Sequence, residues 1–124
     1  MLVGSLVLSG CTVSNSPGGQ DAVSNQDNNF SYSTNAGMTT KTENFEWTNS
    51  GSKAAVHWSM NMGMGSASLT VKDAAGKQVF TKSFSGTGQQ ASSQTTTTGE
   101  AGEWTITVKL TGASGQIAFH VNTA

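Results

Sequence analysis

The chain has no arginine. Its six basic residues are all lysines, set against seven acidic ones, and charged residues make up only 10% of its 124 positions. This excludes the basic stripe and the planar guanidinium forks with which proteins capture nucleic-acid phosphates. A single cysteine, Cys11, excludes an intrachain disulfide. No apolar run approaches the ~20 residues that cross a bilayer as a helix. A Gly-x-Ser-x-Gly elbow, a His-Glu-x-x-His pair and a phosphate-binding Gly-x-x-x-x-Gly-Lys loop are all missing. With so few charges, solubility rests on Ser, Thr, Asn and Gln, a surface compatible with sugars as neighbours.

What the chain does have, from about Thr42 onward, is alternation of period two, the mark of half-buried strands. Phe45 and Trp47 share a face, as do Val56, Trp58, Met60 and Met62, then Ala67, Leu69 and Val71. Asp73-Ala74-Ala75-Gly76-Lys77 reads as a turn, followed by Val79, Phe80 and Phe84. Trp104, Ile106, Val108 and Leu110 give the cleanest alternation, and Gly112-Ala113-Ser114-Gly115 reads as a turn into Ile117, Phe119 and Val121. No stretch of about ten residues has helical spacing. The pattern predicts an all-β fold over 42–124, a small antiparallel β-sandwich of jelly-roll or immunoglobulin-like type with six to seven strands. Gly102 to Val108 and the strand after it are similar to the closing hairpin of jelly-roll and prepeptidase-type accessory domains.

Residues 12–41 are dominated by Ser, Asn, Gly, Gln, Thr and Asp. They offer too little apolar surface to offset ordering entropy and are expected to be a disordered tether with a reach of roughly 30 Å. Within it, Phe30-Ser31-Tyr32 is the segment able to dock as a short edge strand. Ahead of the tether, an apolar stretch (Leu2, Val3, Leu6, Val7, Leu8) runs into Leu8-Ser9-Gly10-Cys11. This resembles the lipobox of bacterial lipoprotein precursors. The resemblance implies a signal peptide over 1–10, cleavage before Cys11, and a diacylglycerol with N-acyl chains on that residue. An acylated sulfur is neither nucleophile nor metal ligand. No basic residue precedes the apolar stretch, so the translation start is expected upstream. In enterobacterial-type sorting an Asp after the cysteine retains the protein at the inner membrane. Thr12 therefore implies the outer membrane, facing the periplasm or the cell surface.

The candidate chemistry is concentrated in His57-Trp58-Ser59-Met60-Asn61-Met62-Gly63-Met64. Thioethers are soft ligands suited to Cu(I), and an imidazole can complete such a site. The segment resembles the Trp, Met and His constellation of small periplasmic copper and silver chaperones, which implies Cu(I) or Ag(I) bound by His57, Met60 and Met62. That family places its His several residues before the Trp and its Met one residue further on. Strand alternation also sets His57 opposite Met60 and Met62, and the methionines fit core filling beside Trp58 equally well. His57 and His120 both fall on outward faces, as a surface Zn(II) pair would require. Glu46, Glu100 and Glu103 are the acids from which a glycosidase pair would have to be assembled. The Gly86–Gly99 segment, with Thr95, Thr96, Thr97 and Thr98, is expected to be an exposed polar edge open to strand addition by a partner.

Taken together, the expectation is a non-enzymatic, membrane-anchored envelope protein presenting a sandwich to a protein or glycan partner. No other cofactor is expected. The alternatives are a Cu(I)/Ag(I)-binding protein and a carbohydrate-binding module, the latter needing an exposed aromatic platform that the alternation of Trp47, Trp58 and Trp104 does not favour.

Overall fold

A computed structural model describes residues 21–85 and 88–124, so the lipobox, Cys11 and Thr12 lie outside the described residues. Six strands form the fold: β1 (Asp21–Gln26), β2 (Asn29–Asn49), β3 (Ala54–Lys72), β4 (Gln78–Ser85), β5 (Gly88–Thr95) and β6 (Gly102–Thr123). All are antiparallel, in the order β1-β2-β6-β3-β4, with β5 also paired to β3. No helix occurs among the described residues.

The architecture follows from the three long strands. At 22 residues, β6 would extend roughly 70 Å if straight, far beyond a domain of this size. Instead β2, β6 and β3 bend at one level. The β2–β6 register slips around Gly37, Thr39 and Lys41, and the β3–β6 register slips around Met62, Met64 and Ser66. Met38, Gly65, Gly112 and Gly115 take positive φ there. One sheet is thereby creased into two facing layers. The first holds β1, residues 29–36 of β2, 115–122 of β6, 54–62 of β3, and β5. The second holds residues 41–49 of β2, 102–110 of β6, 66–72 of β3, and β4. Phe30 and Phe45 belong to one strand, yet their rings lie 5.2 Å apart across the interior.

The β-sandwich expected from the sequence is thus the fold observed, with two corrections. Gly112–Gly115 does not close a hairpin: it creases β6, and Gly63–Gly65 similarly creases β3 rather than ending it. The sandwich also starts well before residue 42. Phe30, Tyr32, Thr34 and Ala36 alternate into the core, and Phe30 and Tyr32 are fully buried. β1 pairs back on β2 from Ala22↔Ser33 to Gln26↔Asn29, so residues 21–41 are sheet rather than tether.

The core is the space between the layers, filled by Phe30, Tyr32, Trp47, Val56, Trp58, Met60, Met62, Leu69, Phe84, Trp104, Ile106, Ile117 and Phe119 with their smaller neighbours. Trp47 and Trp104 meet edge to face at 6.0 Å. Each indole N–H is satisfied by a carbonyl, that of Gln26 at 2.9 Å and that of Glu100 at 2.7 Å respectively.

Asp73, in the turn between β3 and β4, locks that turn to the segment leading into β6. Its carboxylate accepts the amides of Glu100, Ala75 and Lys77 at 2.9, 3.0 and 2.8 Å. The Glu100 amide, with help from those of Lys77 and Ala75 and from the Lys77 charge, lowers its pKa from the ordinary 3.8 against the opposing effect of burial. A folded pKa below the unfolded one stabilises the native state above the ordinary value, and the gain disappears as pH falls through the folded value. Asp73→Asn is therefore expected to lower the Tm at neutral pH and to show a smaller further loss on acidification to about pH 2.5. Thermal melts at the two pH values check this; equal acid losses in both proteins would refute it.

Candidate functional site

The outward residues of the first layer form rows across its strands, because antiparallel register aligns side chains of the same face. Ala22, Ser33, Ala118, Ser59 and Ala91 make one row through β1, β2, β6, β3 and β5. Beside it run Asn35, Gln116, Asn61 and Gln89. On its other side lie Ser24, Ser31, His120, His57 and Ser93. Small side chains in the middle row, flanked by longer polar ones, leave a groove crossing the strands.

That groove has a volume of about 750 Å³ and is lined by the small row, the four amide residues, and Thr34, Met60, Gln90 and Ile117. A smaller hollow of about 250 Å³ continues it over His57 and His120, sharing Ser33, Ser59 and Ala118. The volume falls within the usual range for ligand clefts. Among the described residues, the lining carries no charged and no aromatic side chain. The side-chain amides of Asn35, Asn61, Gln89 and Gln116 have no hydrogen-bond partner among the described residues. Each offers a donor and an acceptor to whatever enters.

The candidate residues named from the sequence are distributed differently. His57 is exposed on the outer face, whereas Met60 and Met62 are 3% and 1% exposed and packed in the core. The three do not converge, because alternation along β3 sends them to opposite sides of the first layer. The methionines serve as core filling beside Trp58, and no group of three His, Cys, Asp or Glu residues able to hold a metal occurs among the described residues. Met38 and Met64 are exposed instead, at the crease on either side of Ser114.

The 86–99 stretch, expected as an exposed polar edge, is described from Gly88 onward. Its residues 88–95 are β5, hydrogen-bonded to β3 from Ala55↔Thr95 to Met62↔Gly88. Thr96 is buried: its hydroxyl accepts the Ala54 amide at 3.1 Å and donates to the Thr97 carbonyl at 2.9 Å. The Thr97 amide donates to the Val79 carbonyl. Thr96 and Thr97 thus stitch β3 to β4, and Thr96 alone of the run is buried, with Thr95, Thr97 and Thr98 exposed.

Of the acids, Glu46 and Glu103 are diagonal neighbours on β2 and β6, since Thr48 faces Glu103 and Glu46 faces Thr105. Both are exposed on the second layer, away from the groove. The sequence reading missed the amide row altogether. The available signal was the set of polar residues interleaved with core positions, Asn61 between Met60 and Met62 and Gln116 before Ile117.

Trp47 and Trp104 are fully buried and Trp58 is 7% exposed, so none of the three forms a surface platform. Lys82 lies over the Trp58 ring, 5.5 Å from its centroid.

No protein-family model matches the chain. No curated protein matches it in sequence. Among solved structures, it is similar to the module TmCBM61 in complex with β-1,4-galactotriose, with a TM-score of 0.51 and 18% identity, covering 86% of this chain and 69% of the other. It is also similar to the carbohydrate-binding module CBM6cm-2 of Cellvibrio mixtus lichenase 5A in complex with cellotriose, with a TM-score of 0.50 and 15% identity, covering 90% and 92% of the two chains. At these identities the likeness is one of fold: the creased two-layer sandwich of this chain is the architecture of two modules solved with trisaccharides bound.

Proposed function

We propose that this chain is a non-catalytic glycan-binding domain whose groove on the first layer takes a segment of uncharged polysaccharide. The observation that carries the reading is the groove itself: a trough crossing the strands, floored by Ala and Ser and edged by the amides of Asn35, Asn61, Gln89 and Gln116, which have no hydrogen-bond partner among the described residues. Asparagine and glutamine amides match the alternating donor and acceptor character of sugar hydroxyls. The absence of charge from the lining gives a charged glycan no ion-pair partner. The sandwich fold shared with two modules solved with neutral trisaccharides supports the same reading.

Binding without an aromatic platform forgoes stacking and relies on hydrogen bonds, each of net worth about 0.5–1.5 kcal/mol. Weak single-site affinity follows, and attachment to a surface compensates for it by raising effective concentration. The lipid expected on Cys11 would supply that attachment at the bacterial envelope, and the mass of the mature N-terminal peptide from the native host tests it.

Affinity electrophoresis through gels containing neutral galactan, β-glucan or xylan tests the groove. The native chain should be retarded by at least one of them. Asn61→Ala and Gln116→Ala should each weaken retardation about tenfold, the equivalent of ~1.4 kcal/mol. Both side chains are exposed, so stability should be unchanged. Undiminished retardation in the double variant, or retardation only in acidic polysaccharides, would contradict the proposal.

A further inference from the structure

The two histidines stand side by side on the outer face. His57 of β3 and His120 of β6 are direct cross-strand partners, both exposed, with ring centroids 6.4 Å apart and planes nearly perpendicular. His120 Nε2 lies 2.9 Å from Asn29 Oδ1. An amide oxygen can only accept, so Nε2 is the donor in this contact, and in the neutral ring that leaves the lone pair on Nδ1. A ring nitrogen fixed by a neighbouring acceptor while the other stays open is the arrangement that orients metal-ligating histidines.

We propose that His57 and His120 form a two-imidazole site for a divalent transition-metal ion of the Zn(II), Ni(II) or Cu(II) type. With Zn–N bonds of about 2.0–2.1 Å, two imidazoles on one tetrahedral ion have ring centroids roughly 5 Å apart. The observed separation therefore needs to close by roughly 1 Å, a small rotation for two solvent-exposed rings. Imidazole nitrogen suits these borderline ions. The thioethers that would shift preference toward Cu(I), those of Met60 and Met62, lie on the other side of the layer and cannot join.

The surroundings favour a simple chelate. Ser31 faces His120, and Ser93 faces His57; both are small, leaving the remaining coordination positions to water. No lysine lies in this row or in the small row beside it. The pair borders the hollow that shares Ser33, Ser59 and Ala118 with the groove. The open positions of the ion thus point to a surface where a further oxygen or nitrogen ligand can approach. Ion binding by the pair does not require a glycan, and its success or failure is separate from that of the groove.

The test is calorimetric titration of the untagged full chain with Zn(II) and with Ni(II) in a buffer that does not chelate, alongside His57→Ala, His120→Ala and the double variant. One ion per chain is expected, with each single variant weakened at least tenfold and the double variant silent. Asn29→Ala should weaken binding about tenfold by freeing the His120 ring while leaving both ligands in place. Imidazole resonances of His57 and His120 should be the ones that shift or broaden on titration. Binding of native strength in the double variant, or no heat with either ion up to about millimolar concentration in the native chain, would overturn the assignment.

Discussion

Alanine at Gly115 is expected to destabilise the domain by roughly 3 kcal/mol or more, a large part of the 5–15 kcal/mol available to a domain of this size. Gly115 sits where β6 creases against β3. A Cβ there would lie 2.2 Å from the Asn61 carbonyl oxygen and 3.0 Å from the Met62 Cα, and its φ is +109°. Both obstacles are backbone, which cannot swing aside as a side chain can. Gly76 provides the control: its φ is +86°, but a Cβ would meet nothing within 4 Å. Gly76→Ala should therefore cost only the left-handed penalty, about 1–2 kcal/mol. Urea unfolding of the two variants measures the difference. Equal losses would mean that the close approach of β3 and β6 is not what the crease depends on.

The second large effect is Trp104→Ala, expected to cost about 3–5 kcal/mol. Trp104 is fully buried, meets Trp47 edge-on and donates to the Glu100 carbonyl. Its removal leaves a cavity between the layers and withdraws a contact holding the 96–101 segment to the core. Trp104→Phe keeps most of the packing and forgoes the hydrogen bond, so a cost nearer 1 kcal/mol is expected. Denaturant titrations rank the two; an alanine variant within about 1 kcal/mol of the native chain would show that the core closes around the gap.

Period-two alternation located the core residues of β3, β4 and β6 and the all-β class, because one buried face imposes a strict pattern on the sequence. It was blind to continuity. Glycine clusters at 63–65 and 112–115 carry the signal of a turn, and the same positive φ that reverses a chain also lets a long strand crease and go on. Sparse apolar residues hid β1 and the first half of β2. Phe30, Tyr32 and Ala36 are few, but all three are buried, Phe30 against Phe45 at 5.2 Å and Tyr32 between Phe45 and Phe119 at 5.8 and 6.4 Å. The groove was illegible for a different reason. Its walls combine Asn35, Asn61, Gln89 and Gln116 from four strands, and only the register of those strands brings the amides into one row. The separation of His57 from Met60 and Met62, by contrast, could be read directly from alternation.

On the proposed function, the amide-edged trough on the first layer holds a neutral glycan. Side-chain and backbone amide resonances followed by NMR during titration with cellotriose or β-1,4-galactotriose test it most directly. The glycan-binding reading predicts graded shifts in the side-chain NH₂ groups of Asn35, Asn61, Gln89 and Gln116 and in the amides of Ser33, Ser59 and Ala118. The second layer and the buried tryptophans should remain still. Shifts confined to the second layer or to the crease around Met38 and Met64, or no shift with any neutral oligosaccharide at millimolar concentration, would contradict it.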